Sequence, residues 1–294
     1  MPLSNPPHPT ALTIAGSDPS GGAGLQADLK TFEQLGVYGM SVVTLLTVQN
    51  TQGVQRVEPV ATDLVSEQLD AVLNDIPPRA IKTGALGNTS IISAVASALR
   101  VHETTIPLIV DPVLVSKHGH RLAGDDVVQA YREQLIPLAT LITPNRFEAE
   151  RLTGQSLDGE RTESDWTAVA QQLLRLGARS VLLKAGPVGG KRLHVFANRE
   201  GNAFIESADQ RSRNNHGAGC TLSAILAGLF AVSQSEKDSD ALRYARQAVE
   251  AVSQGIRHAP NLGSQDGDVA EPSKPGQGPL QTQVIRTLRH EDKG

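Results

Sequence analysis

The sequence contains little of what several classes of protein depend on. Its 294 residues include one cysteine, Cys220, which excludes an internal disulfide and any metal site built from several thiolates. Basic residues are not in excess, with 27 against 31 acidic ones and a net charge of −4. A general binder of nucleic acid or of an anionic membrane surface is therefore disfavoured.

Long apolar stretches and targeting segments are also missing. No run of about 18 consecutive apolar residues occurs, so no membrane-spanning helix is predicted. The start of the chain has neither the basic nor the apolar segment of a secretory signal. Together with the lone cysteine, this favours a cytoplasmic protein with no membrane or nucleic-acid partner. Aromatic residues make up only 3% of the chain, so the core must consist mainly of aliphatic side chains.

The order of the apolar segments predicts an α/β fold. Continuous apolar runs, typical of parallel strands buried on both faces, occur at 11–14, 40–48, 80–83, 107–110, 141–143 and 180–184. Helical periodicity separates them, as in Leu25, Leu29 and Phe32. A hairpin is predicted at 194–197 and 203–206, and helices at 218–232 and 241–257 close the pattern. The sequence thus predicts a central, mostly parallel sheet flanked by helices on both faces.

Composition divides the chain into three parts. Residues 1–10 are predicted to be a flexible N-terminus, and residues 11–262 a single domain without a convincing linker. Residues 263–294 form an insertion rich in Gly, Pro and polar residues, followed by a C-terminal tail. Because this part has little apolar surface to bury, we expect residues 263–275 to be mobile and dispensable for turnover.

Polar residues at the ends of the predicted strands are candidates for a ligand site, because ligands of open parallel sheets bind there. Asp111, Asn145 and Lys184 follow three successive strands. Asp111 is suited to Mg²⁺, and Lys184 to a phosphate. Glu148 lies three residues after Asn145, so one helical turn brings both to the same face.

Two glycine-rich segments could bring backbone close to a ligand. Gly217 and Gly219 precede an apolar helix, and their N–H groups together with the helix dipole predict an anion hole suited to phosphate. Cys220 lies in the first helical turn, where a lowered thiol pKa is expected; the alternative is a small buried cysteine beside a glycine cap. The other segment, 16–28, contains no Gly-Lys-Ser/Thr and lacks the later acid of a dinucleotide site. It is either a tight turn or a place where a flat or phosphorylated ligand approaches the backbone.

Five segments then carry a family resemblance. In chain order they are ALTIAGSDPSGGAGLQADLKTF, VQNTQGV, DPVLVSKHG, TPNRFEAERLTG and NNHGAGCTLSA. This order resembles the bacterial hydroxymethylpyrimidine/phosphomethylpyrimidine kinases of thiamine biosynthesis, which belong to the ribokinase-like superfamily. The resemblance implies ATP- and Mg²⁺-dependent phosphorylation of 4-amino-5-hydroxymethyl-2-methylpyrimidine, and then of its monophosphate. It also implies a homodimer.

The resemblance assigns expected roles to thirteen residues. The catalytic group would be Cys220, Gly219, Gly217 and Lys184. The pyrimidine would be bound by Gly16, Asp28, Gln49 and Val113. ATP would be bound by Asn145, Lys184, Gly186 and Ala218, and the metal by Asp111 and Glu148.

The chain departs from the family pattern at two positions. Ala85 stands where the family usually has methionine, which should enlarge the substrate pocket, and Pro187 replaces a histidine on the nucleotide side. Two alternatives therefore stay open: a pyridoxal or pyridoxine kinase on the same scaffold, and a pyrimidine-binding protein that has lost turnover.

Overall fold

A computed structural model describes residues 8–50, 53–101, 106–114, 124–188, 190–208, 215–233 and 238–259. Most of the predicted flexible N-terminus and the whole of the predicted 263–294 insertion and tail lie outside these ranges. Within them, no helix is both long and apolar enough to cross a membrane.

The structure has ten strands and eight helices within the described ranges. The strands are β1 (Thr10–Ala15), β2 (Tyr38–Val43), β3 (Leu45–Asn50), β4 (Gly53–Pro59), β5 (Ala80–Thr83), β6 (Leu108–Val110), β7 (Leu141–Ile142), β8 (Ser180–Val188), β9 (Lys191–Asn198) and β10 (Gly201–Ala208). The helices are α1 (Gly24–Gln34), α2 (Thr62–Asp75), α3 (Thr89–Val101), α4 (Asp125–Ala130), α5 (Arg146–Thr153), α6 (Glu163–Leu174), α7 (Ala218–Ser233) and α8 (Asp238–Arg257). Helix α4 continues through a π-helical turn and a 3₁₀ turn to Leu138.

Eight strands form the central sheet in the order β10-β9-β8-β7-β6-β5-β1-β2. In this sheet the six strands β2, β1, β5, β6, β7 and β8 pair in parallel with their neighbours. Strands β8, β9 and β10 pair antiparallel and form one edge. This confirms the predicted α/β fold and the predicted hairpin.

The central sheet separates two apolar cores because successive side chains of a strand point to opposite faces. In β1, Leu12 and Ile14 pack in one core and Ala11 in the other. The first core is covered by α2 to α6, and the second by α1, α7 and α8. Burial on both faces explains why the strands appear in the sequence as continuous apolar runs.

The prediction of one strand over residues 40–48 is wrong, since the chain leaves the sheet at Thr44. The Thr44 N–H group donates to the Ala15 carbonyl at 3.0 Å, and the Thr44 hydroxyl donates to the Ala85 carbonyl at 2.6 Å. These bonds hold the end of β2 against the loops that follow β1 and β5. Beyond it, β3 pairs with β4 as a separate two-stranded flap. Strand β4 was not predicted, because its exposed positions interrupt any apolar run.

Candidate active site

A cavity of about 1270 Å³ opens at the carboxyl ends of the parallel strands. Its walls come from the β1–α1 loop, the β3–β4 flap, the loops after β5, β6 and β7, strand β8 and the start of α7. Twelve of the thirteen expected site residues line it. They are Gly16, Gln49, Asp111, Val113, Asn145, Glu148, Lys184, Gly186, Gly217, Ala218, Gly219 and Cys220.

Asp111 and Lys184 form the charged centre of the cavity. Asp111 Oδ1 accepts hydrogen bonds from Lys184 Nζ at 3.2 Å and from the Thr143 hydroxyl at 3.1 Å. Burial opposes the charge on Lys184, but the nearby carboxylates of Asp111 and Glu148 outweigh it and raise the lysine pKa above its usual value. Lys184 therefore stays protonated, with its ammonium group beside the start of α7.

Asn145 and Glu148 form a reciprocal cap at the beginning of α5, as their spacing predicts. Asn145 Oδ1 accepts from the Glu148 N–H group at 2.9 Å, and Glu148 Oε2 accepts from the Asn145 N–H group at 2.7 Å. Burial raises the pKa of Glu148 to about 8, with Lys184 opposing and Asp111 adding to the shift. In the free site burial therefore favours the protonated form of Glu148, and a bound cation would favour its carboxylate form.

Backbone conformation brings the start of α7 into contact with the β1–α1 loop. Gly217 has φ +75°, and a Cβ atom built there would lie 1.7 Å from the Gly22 carbonyl oxygen. A Cβ atom at Gly219 would lie 3.5 Å from Lys184 Nζ and 3.7 Å from Asp111 Oδ2. The N-terminal end of α7 therefore faces the charged centre directly, where its dipole favours an anion.

The expectation of a lowered thiol pKa at Cys220 is wrong. Burial raises the pKa of Cys220 to about 11; Lys82 opposes the shift, while Asp28 and Asp111 add to it. The physical reason is that the thiolate loses contact with water inside the cavity wall, and this loss outweighs the favourable helix end.

The expectation that Asp28 lines the pocket is also corrected. Asp28 and Lys82 are both fully buried and form an ion pair with Oδ2 and Nζ 2.7 Å apart. Lys82 borders the cavity, whereas Asp28 lies behind it and also accepts from the Thr13 hydroxyl at 2.6 Å. Burial opposes the charge on Lys82, but Asp28, Cys220 and Asp111 raise its pKa to about 12. The sequence does carry a signal for this ion pair, because a lysine within a strand buried on both faces needs an acidic partner.

Sequence reasoning also missed a polar network at the rim of the flap. Asp18 accepts from the N–H groups of Ser20, Gly22 and Ala23 at 2.9, 3.2 and 2.8 Å, so its carboxylate organises the β1–α1 loop. His216 Nε2 lies 2.9 Å from Asp18 Oδ2. Burial opposes ionisation of Asp18, but hydrogen bonds from His216 and Ser20 lower its pKa to about 2. The position of Asp18 after a strand was the available signal.

Residues 18–270 match the phosphomethylpyrimidine kinase family. The chain belongs to that family. The resemblance found in the sequence is thereby confirmed.

Members and structural relatives of the phosphomethylpyrimidine kinase family resemble the chain along most of its length. The hydroxymethylpyrimidine/phosphomethylpyrimidine kinase of Rhizobium meliloti is 42% identical over 82% of this chain and 90% of its own. The thiamine biosynthesis bifunctional protein ThiED of Geobacter sulfurreducens is 42% identical over 90% of this chain, which spans 52% of that longer protein. The Staphylococcus aureus pyridoxal kinase, solved with AMP-PCP and pyridoxal, superposes with a TM-score of 0.78 at 29% identity, covering 95% of both chains.

Proposed function

We propose that this protein transfers a phosphoryl group from ATP to the hydroxymethyl group of 4-amino-5-hydroxymethyl-2-methylpyrimidine, and then to the resulting monophosphate, in thiamine biosynthesis. The observation that carries the proposal is the meeting of Lys184, Asp111 and the start of α7 inside the cavity. Phosphoryl transfer needs in-line positioning and charge neutralisation more than covalent chemistry from the protein. The charges of Lys184 and of the α7 terminus support the second of these requirements.

Lys184, with the N–H groups of residues 217–220 at the α7 terminus, would hold the phosphoryl group in transit. Asn145, Gly186 and Ala218 would bind the nucleotide. The ring would lie against Gly16, Gln49 and Val113, on the flap side of the cavity.

Asp111 and Glu148 suit a magnesium ion that arrives with the nucleotide. Among the described residues, no group of three or more His, Cys, Asp or Glu side chains is arranged to hold a metal ion. Mg²⁺ fits a site with one or two carboxylates, because it keeps several waters and takes phosphate oxygens as its other ligands. The two buried carboxyl groups fit this donor set, and the ion would neutralise charge on the phosphates.

Cys220 is proposed as the base that takes the proton of the substrate hydroxyl. With a pKa of about 11, its thiolate is scarce at neutral pH but is a strong proton acceptor. Proton transfer to a positioned side chain contributes about 10²–10⁴-fold to a rate in general, and the Cys220→Ala variant measures its contribution here.

An ADP-release assay tests the proposal directly. With Mg²⁺ and ATP, we expect turnover of the aminopyrimidine alcohol and of its monophosphate. Lys184→Met should abolish both activities while the melting curve of the protein stays cooperative. A folded protein that releases ADP with neither pyrimidine would overturn the proposal.

A pyridoxal kinase is the second candidate. The similarity to the S. aureus enzyme favours it, and so does Ala85, whose small side chain lines the cavity. Pyridoxal belongs in the same assay, and a higher kcat/KM for pyridoxal than for either pyrimidine would favour this candidate.

We also propose that the protein works in the cytoplasm as a homodimer. The support is its dependence on ATP, its lone cysteine and the family resemblance. Sedimentation equilibrium tests the dimer, and fractionation of the producing cells tests the location.

A further inference from the structure

His194 of β9 lies directly opposite Lys184 of β8 in the antiparallel ladder, and both residues line the cavity. Residues opposite each other in such a pair project from the same face of the sheet. That face is the one covered by α7 and α8, because Leu182 and Phe196, the next opposite pair on this face, both belong to the second core. The imidazole of His194 is therefore the neighbour of Lys184 on the adjacent strand.

The ring of His194 has no hydrogen-bond partner among the described residues. Nδ1 is buried without one. Nε2 is not among the buried atoms, so it is the nitrogen that a ligand in the cavity can reach. Burial lowers the pKa of His194 to about 4, and the charges of Lys184 and Arg192 add to the shift. The ring is therefore neutral at neutral pH and has one proton to donate.

The order of the strands determines which part of a nucleotide would meet His194. In the proposed function the acceptor ring lies near Gly16 and Val113, which follow β1 and β6, and the phosphoryl group in transit lies at Lys184 on β8. The attacking and leaving oxygens of a phosphoryl transfer are roughly in line. The leaving diphosphate thus points away from β1 and β6, toward β9 and β10. His194 lies in that direction, one strand beyond Lys184.

Helix α8 offers an apolar wall on the same side of the cavity. It packs against β8, β9 and β10, and its residues Val249, Val252 and Ile256 line the cavity. An apolar wall suits the base of a nucleotide, whereas charged phosphate oxygens need hydrogen-bond donors when they leave water. On β9, His194 supplies such a donor.

We propose that His194 is a nucleotide-binding residue whose Nε2–H group donates to the β-phosphate, on the leaving-group side of the transferred phosphoryl group. The inference rests on the proposed function, in which the acceptor ring occupies the opposite side. A phosphate oxygen without a proton only accepts hydrogen bonds, so the neutral ring carries its proton on Nε2 in the complex. This tautomer leaves a lone pair, and no N–H group, at the buried Nδ1.

Calorimetric titration of the full chain with ADP and with AMP, both in excess Mg²⁺, tests the contact. AMP lacks the β-phosphate and serves as the ligand control. His194→Leu removes the donor, and His194→Gln keeps an N–H group at a similar reach. His258→Leu is the matched control, because it removes an exposed histidine outside the cavity wall.

We expect His194→Leu to raise the Kd for ADP about tenfold or more, the scale of one hydrogen bond to a charged group. The Kd for AMP should stay close to the wild-type value. His194→Gln should recover much of the affinity for ADP, and His258→Leu should bind both ligands as the wild type does. Equal losses for ADP and AMP, or an unchanged affinity for ADP in folded His194→Leu, would overturn the inference.

A second measurement uses the unaltered protein. With Mg²⁺ and ADP bound, the ¹⁵N shifts of the His194 ring should show the proton on Nε2, and a neutral ring with its proton on Nδ1 would contradict the inference. If the wild-type protein bound ADP in this way but phosphorylated neither pyrimidine, the proposed function alone would fail. Turnover of both pyrimidines together with an unchanged affinity for ADP in His194→Leu would overturn the inference alone.

Discussion

Alanine substitutions at Gly217 and Gly219 should separate stability from activity at the start of α7. The two glycines are two residues apart and both line the cavity, but their surroundings differ. At Gly217 the backbone has φ +75°, and a Cβ atom would lie 1.7 Å from a backbone oxygen of Gly22. At Gly219 the nearest atoms to a new Cβ are side-chain atoms at 3.5 and 3.7 Å, which is ordinary contact.

The geometry sets the expected change in the free energy of unfolding. Gly217→Ala lowers the free energy of unfolding by about 1–2 kcal/mol, because alanine is disfavoured in the left-handed conformation. It also pushes Gly22 away from Asp18, which weakens the hydrogen bonds that Asp18 accepts from Gly22 and Ala23, each worth about 1 kcal/mol. We expect a loss of about 2–4 kcal/mol in all. Gly219→Ala should instead leave stability unchanged or raise it by up to about 1 kcal/mol, because alanine loses less backbone freedom on folding.

The effect of Gly219→Ala on activity should be large although its effect on stability is small. The new methyl group of Gly219→Ala would stand beside Lys184 Nζ and Asp111 Oδ2, where the phosphoryl group is proposed to pass. We expect kcat to fall roughly a hundredfold or more, the scale for losing one donor of an oxyanion site. Gly219→Ala is thus predicted to be a stable, nearly inactive protein.

Thermal melting and the ADP-release assay measure the two effects side by side. For a domain of this size, about 1 kcal/mol corresponds to roughly 2–4 °C in Tm. Gly217→Ala melting at the wild-type temperature would refute the role assigned to its backbone conformation. Gly219→Ala with wild-type kcat would show that the phosphoryl group does not pass this point.

Three further predictions concern buried ionisable groups. The pKa of Glu148 is about 8 in the folded protein and about 4.5 in the unfolded chain, so the free energy of unfolding should fall as pH rises between these values. Glu148→Gln should flatten the dependence of Tm on pH, and equal slopes in both proteins would contradict this. Cys220→Ala should lower kcat about 10²–10⁴-fold with little change in substrate affinity. If the folded variant keeps more than about a tenth of the wild-type kcat, Cys220 is not the base and only packs the start of α7. Lys82→Met should destabilise the protein by about 3–5 kcal/mol in denaturant titrations, because it leaves the buried carboxyl group of Asp28 without its partner, and burial already raises the pKa of that group. The double variant with Asp28→Asn should recover part of the loss, and a double variant no more stable than the single one would argue against the ion pair.

Local pattern in the sequence was sufficient for the sheet and for part of the site. Continuous apolar runs such as residues 108–110 arise because both faces of a strand are covered, so the parallel sheet follows from them without knowledge of its neighbours. Asn145 and Glu148 are three residues apart, and this spacing alone brings them together in one helical turn. The carboxyl ends of parallel strands share one edge, so Asp111 and Lys184 could be expected to meet.

Tertiary structure decided what depends on contacts between distant residues. The break at Thr44 comes from hydrogen bonds to the loops after β1 and β5, and no local pattern marks it. Asp28 pairs with a lysine 54 residues away, and His216 meets a carboxylate 198 residues away. The thiol pKa of Cys220 depends on how much water the surrounding walls remove, which helix position alone cannot indicate. Burial and charge at this site are properties of the assembled cavity, because desolvation and Coulomb interactions depend on distances in space rather than along the chain.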